Sequence, residues 1–382
     1  MNIGIDTRTL MDEHYSGVSE YTFNLVKEIL RLDQANNYKL FYNSFRDISS
    51  RIPKFESGNV EIVKLNYPNK VLNYFNFKFL NRPKIDKLIG VDLFFMPHIN
   101  FISLSAKCRK ILTIHDLSYI RYPEFFSVRK NFWHYFINIK KFAQSFDTII
   151  AVSENTKNDI MSLLDIAENK IKVIYSGLDK KYRPLKKDDP GLIDFKKKYK
   201  LPDRYILSLG TLEPRKNIEG LIMAFDLLKS GYHNLKDLKL VLAGAKGWKH
   251  KNIFKKWSRS KFKEDIIFLG YIPGNVKPYV YNLAEIFAYP SFYEGFGFPP
   301  LEAMACGTPV IASQNSSLPE ITGQAAILVD PFNISQIAES IRAILLDNSL
   351  KNNLIINGFS QIKKFNWTKA AKSYIDIFDI EK

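Results

Sequence analysis

The chain has 382 residues, of which 46% are hydrophobic and 14% aromatic, with 55 Lys and Arg against 39 Asp and Glu for a net charge of +16. This composition excludes a disordered or low-complexity polymer, and the length exceeds what one core usually holds, so two domains are expected. Two cysteines, Cys108 and Cys306, exclude a disulfide framework and a four-cysteine zinc site, and the six histidines (His14, His98, His115, His134, His233 and His250) lack tight metal-ligand spacing. No structural metal is expected.

In chain order, short apolar runs predict strands at residues 3–6, 39–42, 61–65, 93–96, 111–115, 148–152 and 172–175, with helical periodicity between them. The best helix is 18–32, with Tyr21, Leu25, Val26, Ile29 and Leu30 on one face, and another starts behind Ser153, an N-cap candidate with Thr156 in its first turn. The pattern stops around residues 178–190, a stretch rich in Lys, Asp and Pro that reads as a linker. It restarts with strands at 205–209, 239–243, 266–269, 286–289, 309–312 and 326–329, with helices at 217–228 and 336–346 and a closing amphipathic helix at 367–378.

Strands alternating with helices imply an α/β class with parallel sheets covered on both faces. The expected architecture is two doubly wound, Rossmann-like domains facing across a cleft, where the carboxyl ends of the strands would bind ligand. The N-terminus, with Asp6 and Arg8 interrupting any apolar run, reads as a core strand rather than a signal peptide. The longest uncharged run, residues 303–319, has 17 residues with Gly307 and Pro309 inside it, so no transmembrane helix is expected, and a cytoplasmic location follows.

The positive charge invites an anionic partner. Residues 1–183 carry 27 basic and 19 acidic side chains and the remainder 28 and 20, so the charge is spread over both halves. With no basic tail and no recognisable nucleic-acid motif, no nucleic acid is expected as a partner. The interleaved aromatics and cations at residues 74–79 and 129–136 offer either core-facing helices or a surface for sugar rings and an anionic membrane.

The stretch SFYEGFGFPPLEAMACGTPVIAS, residues 291–313, carries the densest chemistry. Gly295 and Gly297 let backbone approach a ligand, Pro299 and Pro300 suit a helix start, and Glu302 should ride the first turn. Free amides donate to phosphate or sugar oxygens, and Glu294 and Glu302 accept from hydroxyl groups. The alternative is an ordinary strand-to-helix turn with a dipole-favoured Glu. Arg215 and Lys216 are adjacent cations before a helix, where positive charge is electrostatically disfavoured unless it meets an anion. Asp188 and Asp189, in the linker, read as solvated rather than as a metal motif.

Glu294-x7-Glu302 within EGFGFPPLEAMACGTPVIAS resembles the signature of the retaining family-four glycosyltransferases of the GT-B fold. Gly17 in SGVSEYTFNLVKEIL, His115-Asp116 in LTIHDLSYIRYPEFFS and Arg215-Lys216 in LGTLEPRKNIEGLIMAF fall in the same order, and the resemblance extends over nearly the whole chain. It implies an acceptor-binding domain over residues 1–183, a nucleotide-sugar domain over 184–362, and a last segment, 363–382, returning to the N-terminal domain. By the same resemblance Arg215 and Lys216 stabilise the departing diphosphate, Glu294 contacts donor-sugar hydroxyls, Glu302 contacts the ribose, and His115 lies beside the donor sugar. Gly17, Gly210, Gly295, Phe296, Gly297 and Phe298 line the donor site, and Tyr271 and Ile272 the base pocket.

Retention would follow from front-face attack within an ion pair, the departing phosphate taking the acceptor's proton. No cofactor or metal is implied, the cationic pair doing the work of a metal. HDLSYIRYPEFFS and the overall layout look most like bacterial mannosyltransferases of surface-polysaccharide synthesis, which implies GDP-mannose as donor and a saccharide or lipid-linked saccharide as acceptor. A UDP-hexose or UDP-N-acetylhexosamine donor is the alternative. An epimerase, a phosphorylase or a non-enzymatic anion-binding protein accounts for fewer of these residues. Removal of Arg215 and Lys216 together is expected to abolish turnover with stability little changed.

Overall fold

The computed structural model describes residues 1–13, 15–55, 57–69, 71–232 and 235–380, without the side chains of residues 73–76 and 78. His14 and His233, and most of the aromatic stretch 74–79, therefore lie outside the described residues. The chain divides into two compact units. The first holds residues 1–120, 129–177 and 366–382, and the second residues 121–128 and 178–365. The divide falls between Gly177 and Leu178 rather than at 183/184, and the last segment separates at Asn366 rather than at 363. The segment Arg121–Val128 groups with the second unit, which no pattern in the sequence indicated.

The first unit is built on β1 (Asn2–Asp6), β2 (Asn37–Asn43), β3 (Val60–Leu65), β4 (Leu93–Met96), β5 (Arg109–Ile114), β6 (Thr148–Ala151) and β7 (Ile171–Val173), in the spatial order β3-β2-β1-β4-β5-β6-β7. Every pairing is parallel, and the order reverses between β1 and β4, which defines the switch point of a doubly wound sheet. Its core includes Phe41, Phe94, Met96, Leu112, Ile114 and Ile149, all fully buried. The Ser153 cap forms, its side chain accepting from the Thr156 amide at 3.0 Å. The helix Trp367–Asp379 packs on the helix Gly17–Leu32. Tyr374 hydroxyl meets both Tyr21 and Thr113, and the Arg109 guanidinium donates to the carbonyls of Phe378 and Ile380.

The second unit contains β8 (Tyr205–Leu209), β9 (Lys239–Ala243), β10 (Ile266–Gly270), β11 (Ile286–Tyr289), β12 (Val310–Ser313) and β13 (Ala326–Val329), in the order β10-β9-β8-β11-β12-β13. These pairings are parallel too. The reversal lies between β8 and β11, so the loops leaving those two strands flank the ligand position of an open α/β sheet. The linker is shorter than its composition suggests: Asp189 is no idle charge but caps the helix Pro190–Lys198, accepting from the Leu192 amide at 3.1 Å.

Candidate functional site

Arg215 and Lys216 follow β8, and Glu294 follows β11, so the switch point of the second unit brings them together. Pro214 opens a short turn, Pro214–Lys216, and Asn217 leaves it in the left-handed region at φ 53°. The Asn217 side chain then caps the helix Ile218–Gly231 by accepting from the Gly220 amide, and donates to the Pro331 carbonyl at 2.6 Å. The two cations are thereby held on a fixed turn.

Lys216, only 8% exposed, donates to Glu294 Oε1 at 2.6 Å and to the Tyr289 hydroxyl at 2.6 Å, leaving one of its three N–H donors beyond these bonds. Arg215 donates to Glu294 Oε2 at 2.9 Å, to the Tyr293 carbonyl at 2.9 Å and to Glu213 at 3.1 Å. Burial alone would raise the Glu294 carboxyl, but Arg215 and Lys216 more than reverse that and bring it down to about 2. Burial, and then the neighbouring Arg215, lower the Lys216 ammonium from its ordinary range. The cations that sequence reasoning leaves open for a diphosphate are thus matched by two buried carboxylates, Glu294 and Glu213.

The Glu294 backbone is fixed as firmly. Its amide donates to Ser316 Oγ at 3.0 Å, and Ser317 Oγ donates to the carbonyls of Glu294 and Phe296 at 3.0 and 2.8 Å. Gly297 caps the helix Phe298–Ala305 at φ 109°, a backbone conformation that favours glycine. Helix assignment begins at Phe298, so Glu302 is the fifth helical residue and sits in the second turn, not the first. It is 3% exposed and accepts from the Tyr281 hydroxyl at 2.7 Å. Gly210 follows β8 directly, and a Cβ there would touch Lys216 Cε at 3.6 Å. Tyr271 and buried Ile272 follow β10, two strand spacings from β8, or about 10 Å.

The remaining predicted residues belong to the first unit. Gly17 is exposed as the first residue of its helix, capped by Ser16. One turn on, Tyr21 stands edge-on to the His115 ring at 4.6 Å. His115 lies just beyond the end of β5 rather than in it, and its Nε2 pairs with the Pro97 carbonyl at 2.8 Å, an acceptor that fixes the proton on that nitrogen. Burial lowers the ring's pKa, which favours neutral imidazole. Asp116 accepts from the Ser118 amide and hydroxyl at 3.0 and 2.6 Å, a local cap.

Sequence reasoning passed over Glu213, Tyr289, Ser316 and Ser317 in the second unit. Glu213 had a signal, standing two residues before Arg215; the others become neighbours only through the parallel sheet. In the first unit it also missed a buried group at the end of β1. Asp6 pairs with Arg8 at 2.6 Å, and His98 Nε2 lies 4.0 Å from Asp6. Burial brings the His98 imidazole down to about 4, despite the carboxylate.

Residues 15–182 match the family described as Glycosyltransferase Family 4, and residues 192–361 the one described as Glycosyl transferases group 1. The chain is 30% identical over 390 aligned residues to the O-antigen chain mannosyltransferase B of Escherichia coli, covering 96% of each. It is 26% identical to an N-acetylgalactosamine-N,N'-diacetylbacillosaminyl-diphospho-undecaprenol 4-alpha-N-acetylgalactosaminyltransferase of Campylobacter jejuni, covering 85% of this chain and 87% of that one. Among solved structures it is similar to Anabaena HepE in complex with UDP and glucose, at a TM-score of 0.71, 17% identity and full coverage of both chains; that likeness is one of fold.

Proposed function

The chain belongs to the family 4 glycosyltransferases, and from that premise we propose that it transfers mannose from GDP-mannose to a saccharide or lipid-linked saccharide in surface-polysaccharide assembly. The observation that carries this reading is the Arg215–Lys216–Glu294 cluster at the switch point between β8 and β11, in a chain similar over almost its full length to an O-antigen mannosyltransferase. The diphosphate would take hydrogen bonds from Arg215 and Lys216, Glu302 would hold the ribose, and Glu294 would meet the sugar hydroxyls. As the bond from the anomeric carbon to the diphosphate oxygen breaks, negative charge grows where the two cations stand. The acceptor oxygen then bonds to the same face of that carbon, retaining configuration, and its proton passes to the departing phosphate. No metal is needed in this scheme, in which Arg215 and Lys216 turn from Glu294 to the diphosphate while Glu294 turns to the sugar.

Purified protein titrated with GDP-mannose, UDP-glucose, UDP-N-acetylglucosamine and UDP-galactose, with and without chelator, tests the donor and the metal together. Ligand at ~100 times its dissociation constant should add about 2.7 kcal/mol, a shift of a few degrees in Tm. A response selective for GDP-mannose is expected. Selectivity for a UDP-sugar would favour the second reading, supported by the similarity to the N-acetylgalactosaminyltransferase, and a response abolished by chelator would overturn metal independence.

The acceptor would reach the enzyme at the inner face of the cytoplasmic membrane. Among the described residues no helix is long and apolar enough to cross a membrane, so attachment would be peripheral. The helix Val128–Ile137 supports this reading by exposing Phe132 (63%) and Tyr135 (82%) beside Arg129 and Lys130, while Ile137 faces the core. Membrane recovery undiminished by a high-salt wash would count against an electrostatic anchor.

A further inference from the structure

The segment Arg121–Val128 groups with the second unit, while the residues on either side of it group with the first. Pro123 opens a tight turn, Pro123–Phe125, which the Phe125 and Phe126 amides close onto the carbonyls of Tyr122 and Pro123 at 3.0 and 3.1 Å. The turn sets the Tyr122 and Phe125 rings nearly parallel at 5.3 Å. Phe125 then stacks on Phe292 at 5.3 Å, and Tyr122 meets Tyr293 at 5.9 Å. The segment is pinned from behind, where Trp248 Nε1 donates to the Phe125 carbonyl at 2.6 Å and the Trp248 ring stacks on Phe126 at 5.5 Å.

Phe292 and Tyr293 are the two residues before Glu294, and both are tied to Arg215: the Phe292 amide donates to the Arg215 carbonyl at 2.8 Å, and the Tyr293 carbonyl accepts from its guanidinium. We propose that the segment Arg121–Val128 is a positioning element, whose Tyr122 and Phe125 rings press the Phe292–Glu294 loop into the register that aligns Glu294 with Arg215 and Lys216. The inference rests on the glycosyltransferase reading for its consequence, since a displacement of about 1 Å at such a loop costs turnover ~100-fold while leaving remote contacts in place. Glu302, on the proposed nucleotide end, accepts from the Tyr281 hydroxyl.

Three proteins decide it: the full chain, Phe125→Ala, and Phe125→Tyr, which keeps a ring of similar shape. Hydrogen–deuterium exchange should show residues 290–297 exchanging ~10-fold faster or more in Phe125→Ala, with β8 unchanged, as expected of a local loosening. Turnover should fall ~10-fold or more while affinity for GDP and UDP stays within about twofold, and Phe125→Tyr should restore both loop protection and turnover. Unchanged exchange at 290–297, or acceleration spread evenly over every peptide, would overturn the proposal. If exchange responds as expected but the unmodified chain transfers no sugar from any donor, the positioning role stands and the transferase reading fails.

Discussion

Replacing Arg215 and Lys216 together by alanine is expected to lower turnover by about 1,000-fold or more, because single donors aimed at developing charge are each worth roughly 100–1,000-fold. The sequence alone suggests that stability would be spared. The structure corrects that expectation: both cations are buried against Glu294, and Arg215 also against Glu213. Removing the partners of a buried carboxylate typically costs about 3–5 kcal/mol, so the double variant should be markedly less stable. A protein binding anions through diffuse charge would scarcely respond to the loss of two among 55 basic residues. Turnover within tenfold of the parent would remove the cationic pair from the mechanism.

The same variant should invert a pH dependence. In the parent, Glu294 has its carboxyl depressed from 4.5 to about 2, so its stabilisation is complete above pH 4.5 and is lost as the pH falls from there toward 2. Without the two cations the largest influence left on Glu294 is burial, which raises a carboxyl, against a weaker lowering by Ser291. The folded state then binds a proton before the unfolded state does, so the stability gap between the variant and the parent should narrow as the pH is lowered from 7 to 5, the buried histidines acting equally on both. Urea midpoints of variant and parent at the two pH values measure the sign, and a gap that widens toward pH 5 would show that Glu294 has found another cation.

Strand positions were readable because buried parallel strands are continuous apolar runs; β8, β9 and β11 fall where those runs lie. Arg215, Lys216, Glu294 and Glu302 were readable as residue types whose local chemistry invites a ligand. What escaped was pairing across the sheet. Nothing in a one-dimensional pattern says that β8 and β11 are neighbours, so Glu294 read as a free acceptor, although its two oxygens are taken by Lys216 and Arg215. The Arg121–Val128 segment escaped for the same reason, since its aromatic partners lie more than 100 residues away at Trp248 and Phe292.

That pairing changes what Glu294→Gln should do. Glutamine keeps the shape but removes the charge that neutralises both cations, so Arg215 and Lys216 turn more fully toward a diphosphate. Transfer is expected to fall about 100- to 1,000-fold, through the loss of the proposed sugar contact and the shifted cations, while affinity for GDP is retained or increased. The variant should also be less stable alone, having lost its buried ion pairs, and should show a larger thermal shift on GDP than the parent. Glu302→Ala supplies the contrast: on the proposed ribose role, one charged hydrogen bond is lost, and nucleotide affinity should fall by about 1.5–3 kcal/mol while turnover at saturating donor is largely kept. Calorimetric titration of GDP beside steady-state transfer separates the two patterns. Equal loss of binding and turnover in Glu294→Gln would mean that the carboxylate serves the nucleotide rather than the sugar, and that its bonds to Arg215 and Lys216 persist when donor is bound.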